Sequence, residues 1–110
     1  LDFWATWCGP CRMGMPILSK VTKEFADKGV RMYAVNLREG PDQINPFLES
    51  TGLDLNVVLD VEGAMGDAFL AESIPQMVIV GKDGLVKKVH IGVTPNYEEE
   101  IRAELTELTK

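Results

Sequence analysis

Cysteine and histidine are scarce in this chain. Two cysteines and a single histidine, His90, occur among 110 residues. A structural zinc site needs four nitrogen or sulfur ligands, so these three residues cannot make one. Nor can two cysteines form the framework that staples small disulfide-rich domains. No metal is expected, and the five methionines fall mostly at inward positions, where packing explains them better than a metal-binding cluster. No apolar run approaches the ~20 residues of a membrane-spanning helix, so no direct membrane insertion is expected. Basic residues are in deficit, with 11 Lys and Arg against 17 Asp and Glu and a net charge of −6. That balance argues against nucleic acid or an anionic membrane as partner, because both call for a basic surface. No internal repeat, low-complexity tract or linker interrupts the chain.

What is present fits one soluble globular domain spanning residues 1–110. The hydrophobic fraction of 45% and charged fraction of 25% are ordinary for that class, and the length suffices for a single core. The chain opens at Leu1, without an initiator methionine, inside what reads as a strand. A cut or processed domain is therefore expected, with any targeting segment upstream.

Both cysteines sit in Trp7-Cys8-Gly9-Pro10-Cys11. The apolar residues 1–5 before them read as a buried strand, and Arg12 to Lys28 after them as a helix. Cys-x-x-Cys on a first helical turn brings two sulfurs within bonding reach. The first lies at the helix N-terminus, where unpaired N–H groups and the helix dipole favour its thiolate. Cys8 can then attack a substrate disulfide, and Cys11, one turn further in, can attack Cys8 and release the reduced substrate. The competing reading, two inert buried thiols, does not account for Pro10, Trp7 or the strand-to-helix junction.

The rest of the chain supplies the frame. Pro16 lies inside the first helix and should kink it, and Lys28-Gly29 should end it. Val30 to Leu37 reads as a second strand, Pro41 to Gly52 as a helix, and Asn56 to Leu59 as a short strand. Gly63 to Ala71 reads as a helix. Gln76–Val80 and Leu85–Ile91 read as a hairpin around Gly81-Lys82-Asp83-Gly84. Pro95 to Thr109 closes the chain as an amphipathic helix, with Glu98-Glu99-Glu100 in its first turn. The order β-α-β-α-β-α-β-β-α predicts a three-layer α/β fold with a mixed sheet.

The segment Asp2-Phe3-Trp4-Ala5-Thr6-Trp7-Cys8-Gly9-Pro10-Cys11 resembles the thioredoxin active site nearly residue for residue. Pro16 matches the helix-kinking proline of that fold, Ile74-Pro75 its cis-proline dipeptide, and Gly92 the glycine after its last strand. The resemblance spans essentially the whole chain and implies a thioredoxin fold. The insert from Pro41 to Leu59, between the second and third thioredoxin strands, is similar to the TlpA/ResA-like thiol-disulfide oxidoreductases. Met15-Pro16 and Lys82-Asp83-Gly84 resemble that branch too. Its members are typically extracytoplasmic reductants, often membrane-tethered, and several act in cytochrome c maturation.

That likeness implies a protein-disulfide reductase whose redox-active disulfide needs no other cofactor. Its partners would be a disulfide-containing protein substrate and an upstream dithiol donor, and a monomer is expected. An extracytoplasmic site, periplasmic or membrane-tethered, is implied; a cytoplasmic one stays open. By position, Cys8 matches the nucleophile and Cys11 the resolving thiol. Pro75 faces the disulfide, Ile74 pairs its backbone with extended substrate, and Trp7 borders the groove, with Gly9, Pro10 and Gly92 beside it. Asp2 matches a buried acid proposed to take the resolving thiol's proton, and Glu39 an acidic residue near the site.

The chain also departs from the pattern. Ala34 stands where thioredoxin has a lysine paired with the buried acid, and Gln76 where threonine usually follows the cis-proline. ResA-like members often carry Glu-Pro between the cysteines rather than Gly9-Pro10. Their N-terminal β-hairpin has no counterpart here. Burial should raise the Asp2 pKa, unless fraying near the chain end exposes it. Glu39 could be a solvated loop acid. Trp4 is expected in the core, Trp7 partly exposed, and His90 on a strand surface.

Three rival functions compete with this one. A peroxiredoxin-type thiol peroxidase would need Thr-x-x-Cys, but Thr6 is two residues before Cys8. A copper-delivery module would use Cys-x-x-x-Cys, one residue longer. A non-catalytic binding module would use the groove around Pro75 for docking only.

Overall fold

The computed structural model describes all residues, Leu1 to Lys110. Five strands form one sheet: β1 (Asp2–Trp4), β2 (Ala34–Leu37), β3 (Val57–Asp60), β4 (Gln76–Val80) and β5 (Val86–Ile91), in the spatial order β3-β2-β1-β4-β5. β1, β2 and β3 run parallel, while β4 is antiparallel to both β1 and β5. The helices are α1 (Gly9–Glu24), α2 (Pro41–Thr51), α3 (Ala64–Ala68) and α4 (Tyr97–Leu108). This is the mixed three-layer thioredoxin fold that the sequence predicts, with α2 and β3 as the insert.

β1 is the centre of the molecule. Asp2, Phe3 and Trp4 are all buried, as strand alternation requires when both faces are covered. On one face, Trp4 and Ala34 pack with Cys8, Cys11 and Met15 and with Ile44 and Phe47 of α2. Beside them Met77 packs with Leu18 and Val21 of α1 and Tyr97, Ile101 and Leu105 of α4. On the other face Phe3, Val35 and Val78 pack against Met65 and Phe69 from the α3 region.

Several boundaries differ from the sequence reading. The second strand begins at Ala34, not Val30. Neither β1, which starts at Asp2, nor β3, which starts at Val57, reaches past Ala34, so Val30–Tyr33 lack a ladder partner. α1 starts at Gly9 and ends at Glu24; a 3₁₀ turn over Ala26–Lys28 follows, stopped by Gly29 at φ 88°. Pro16 lies within the helix without ending it, and it is exposed. α3 is shorter than expected, because Leu70 takes a left-handed conformation (φ 55°) that breaks the helix before Ala71. Asp2 is not frayed: it is 2% exposed and ladder-paired on both sides.

His90 is a correction to the surface reading. Its strand is exposed on one face, but position 90 alternates to the face covered by α4. The Nε2 atom lies 2.6 Å from Glu104 Oε1, and the ring stands edge-on to Tyr97 at 6.1 Å between centroids.

Candidate active site

The two cysteines are joined as a disulfide at the N-terminus of α1, with their Cα atoms 5.3 Å apart. Cys8 is the N-cap, in extended conformation, and its Sγ accepts the Cys11 N–H at 3.2 Å. That N–H is one of the donors a helix start leaves without an intrahelical partner. In the reduced protein the same donor and the positive end of α1 favour a thiolate on Cys8. Cys11 is fully buried and Cys8 is 3% exposed. Gly9 and Pro10, the first residues of the helix, are exposed beside them.

Ile74 packs against the apolar cluster that holds both cysteines; the Ile74–Pro75 peptide is cis and Pro75 is buried. The Pro75 carbonyl accepts the N–H of Gly92 at 2.8 Å, tying the cis-proline loop to the end of β5. Gly92 has φ 82°, a left-handed conformation that suits glycine. Neither the N–H nor the C=O of Ile74 is engaged in a hydrogen bond within the chain. Trp7, next to Cys8, is 73% exposed, while Trp4 is buried against Phe47 with ring centroids 5.1 Å apart.

Glu39 is buried, not solvated. Its Oε1 accepts the Thr6 N–H at 2.7 Å and the Asn36 side-chain amide at 3.0 Å, and its Oε2 accepts the Thr6 hydroxyl at 2.6 Å. Burial alone would raise its pKa, but these donors outweigh it and hold the carboxyl below the usual range. The three bonds tie the end of β2 to the loop two residues before Cys8. Arg12 adds a second tie, with its guanidinium 5.1 Å above the Phe47 ring and 3.4 Å from the Thr6 carbonyl.

Asp2 lies opposite Ala34 in the ladder, on the sheet face that α1 covers. Its Oδ1 is buried without a hydrogen-bond partner. Desolvation pushes its pKa up to about 7, tempered by the Leu1 amine. The sequence reading missed Thr6, Asn36, Arg12 and Phe47 as supports of the site. Asn36 carried a readable signal, as the one amide in an otherwise apolar strand end.

A model of the Redoxin family matches residues 1–105. The chain belongs to the Redoxin family. Among curated proteins, this Redoxin chain is 35% identical over 92 residues to the thiol-disulfide oxidoreductase ResA of Bacillus subtilis, covering 84% of this chain and 51% of that protein. It is 33% identical over 108 residues to the thioredoxin-like protein YneN of the same species, covering 96% and 62%. Among solved structures it superposes on a DsbE-type protein of Chlorobium tepidum with a TM-score of 0.91 at 27% identity, covering 99% of this chain and 77% of that one. A thioredoxin-like protein of Porphyromonas gingivalis gives 0.79 at 31% identity, covering 98% and 72%. The Redoxin chain thus spans about half to three fifths of the length of these curated relatives.

Proposed function

We propose that this chain is a protein thiol-disulfide oxidoreductase that works as a reductant through Cys8 and Cys11. The observation that carries the reading is the Cys8–Cys11 disulfide on the first turn of α1, with Ile74 of the cis-proline dipeptide packed on the same cluster. The likeness to ResA supports it. The Cys8 thiolate attacks a substrate disulfide, forming a mixed disulfide and expelling one substrate thiolate. Cys11, losing its proton, then attacks Cys8 Sγ and expels the second. Two electrons pass to the substrate and the domain is left as the disulfide seen here, so a dithiol donor must restore it.

Asp2 is the proton acceptor for Cys11 in this scheme: a carboxyl with a pKa near 7 can take a proton at neutrality and give it up again. Glu39 is a positioning residue, because both its oxygens are engaged in holding Thr6 and Asn36. The free N–H and C=O of Ile74 suit pairing with an extended substrate, with Trp7, Gly9, Pro10, Pro75 and Gly92 as the walls. The substrate is a disulfide-containing protein, and the working compartment is extracytoplasmic.

Insulin reduction driven by dithiothreitol tests the activity. Acceleration that Cys8→Ser abolishes is expected; a rate no greater than dithiothreitol alone refutes the reading. Equilibration of the disulfide against thiol buffers tests the direction. A reductant should lie near thioredoxin, about −270 mV, whereas a value near DsbA, about −120 mV, overturns that half of the proposal.

A further inference from the structure

A pocket of about 410 Å³ is lined by Trp7, Leu37, Arg38, Ala71, Glu72 and Ile74, together with Glu39 and Gln43. Ile74, one of its lining residues, packs against the apolar cluster that holds both cysteines, and Trp7 adjoins Cys8 in the chain, so the pocket lies next to the reacting centre. Its volume lies within the range of small-molecule sites, far above what a single aliphatic side chain fills. One wall is the turn between β2 and α2, and the other is the loop between α3 and β4.

Both walls are held in an unusual backbone state. Arg38 (φ 60°) and Leu70 (φ 55°) are the only non-glycine residues with positive φ, and they stand in these two loops. Residues of this kind persist only where surrounding bonds fix them, and they concentrate at ligand clamps. Those bonds are present. The Arg38 N–H donates to the Asp60 carbonyl at 3.0 Å, and Ala71 and Glu72 donate to Gly66 and Leu70 carbonyls at 2.8 and 2.9 Å. Asp60 in turn accepts the N–H groups of Met65 and Gly66 through its carboxylate. The walls are therefore a preformed frame.

The groups turned to solvent here favour one class of occupant. Trp7 is 73% exposed, leaving apolar surface uncovered where water must be displaced on binding. An indole face accepts an aromatic ring by offset or edge stacking. The Arg38 guanidinium lies against Gly63 and near Asp67, 3.7 Å away, but its side chain is 62% exposed, and a swing of that side chain would bring it over the same ring.

We propose that this pocket receives an aromatic side chain flanking the half-cystine of the substrate, while the substrate backbone pairs with Ile74. This selects disulfides set in aromatic sequence over those in small-residue sequence. The inference rests on the oxidoreductase reading and adds the substrate class.

The test is single-turnover reduction of short peptide disulfide dimers by the pre-reduced chain, followed by chromatography. The peptides carry Phe, Leu or Ala within two residues of the cysteine, on either side. The expected order is Phe over Leu over Ala, with Phe about tenfold faster than Ala in rate per concentration, the scale on which apolar pockets discriminate. Ala71→Phe, which fills the pocket, should bring the ratio close to one. Arg38→Ala, a change at an exposed side chain, should lower it two- to fivefold, the scale of one cation–π contact. Equal rates for all three peptides, or a Phe preference kept by both variants, overturns the pocket while leaving the oxidoreductase reading intact. No exchange with any peptide, nor with a small aromatic disulfide such as dithiobis-nitrobenzoate, overturns both.

Discussion

Asp2→Asn isolates the energetic consequence of a buried carboxyl. In the folded chain Asp2 has no hydrogen bond to its Oδ1 and a pKa near 7, against 3.8 for the free side chain. About 3 pH units of difference at ~1.4 kcal/mol each give roughly 4 kcal/mol of coupling between ionisation and folding. The sign follows from proton counts. Between pH 4 and 7 the folded state holds a proton that the unfolded state has lost. Stability therefore falls as pH rises through that window and levels off above it. Asparagine cannot ionise, so its own burial cost is the same at every pH. Relative to wild type, Asp2→Asn should gain roughly 4 kcal/mol of stability on going from pH 4 to pH 8, whatever its offset at pH 4. Urea unfolding of the two oxidised proteins across that range measures the difference. A difference constant to within about 1 kcal/mol refutes the claim that the folded site penalises the carboxylate. The proposed proton-acceptor role has a separate readout. In wild type the second step of single-turnover reduction should rise with pH around 7, and Asp2→Asn should lose that inflection.

Three further outcomes follow from the same geometry. Cys11→Ser should accumulate a covalent mixed disulfide between Cys8 and substrate, visible as a dithiothreitol-sensitive band on a non-reducing gel; its absence counts against Cys11 as the resolving thiol. Glu39→Gln should cost about 1–2 kcal/mol at pH 7 by weakening charge-assisted bonds from Thr6 and Asn36. Because the folded carboxyl is held below its usual 4.5, wild type's advantage should shrink as pH falls below that value, in urea melts at pH 3 to 7. Phe47→Ala should destabilise by about 3–5 kcal/mol, since Phe47 is 6% exposed and shares its cluster with Trp4 and both cysteines. A loss under 1 kcal/mol would show that α2 packs loosely on the site.

The element order and strand directions were legible because hydrophobic period and punctuation agree along most of this chain. Gly29, Pro41, Gly52 and the Gly81–Gly84 turn each fall at an element boundary. The Val30–Tyr33 error has a different source: periodicity reports that a segment suits a strand, but a ladder also needs neighbours, and those are set by register. The cysteine pair was legible from local spacing, and Pro75 from the likeness to the thioredoxin cis-proline dipeptide. Glu39 was only half legible. Its place near the site followed from likeness, but its burial depends on Thr6 and Asn36 arriving from 33 and 3 residues away. His90 was misplaced for a similar reason, since its cover, Glu104, comes from α4, 14 residues further on.

The insert changes how the reactive sulfur should be understood. A helix N-terminus favours a thiolate, but apolar burial opposes one. Here Ile44 and Phe47 of α2 help to bury Cys8 and Cys11 in one apolar cluster. The two influences thus come from different parts of the chain: the N–H donors from α1, and much of the apolar cover from the insert. Arg12 joins them, reaching from α1 over Phe47 to the Thr6 carbonyl, and Glu39 holds Thr6 from the other side. Any movement of α2 would therefore be felt at the loop preceding Cys8 as well as in the burial of its sulfur. The thiol's reactivity is accordingly a property of the α1–α2 packing. Gly9-Pro10, although shared with thioredoxin, cannot set it alone.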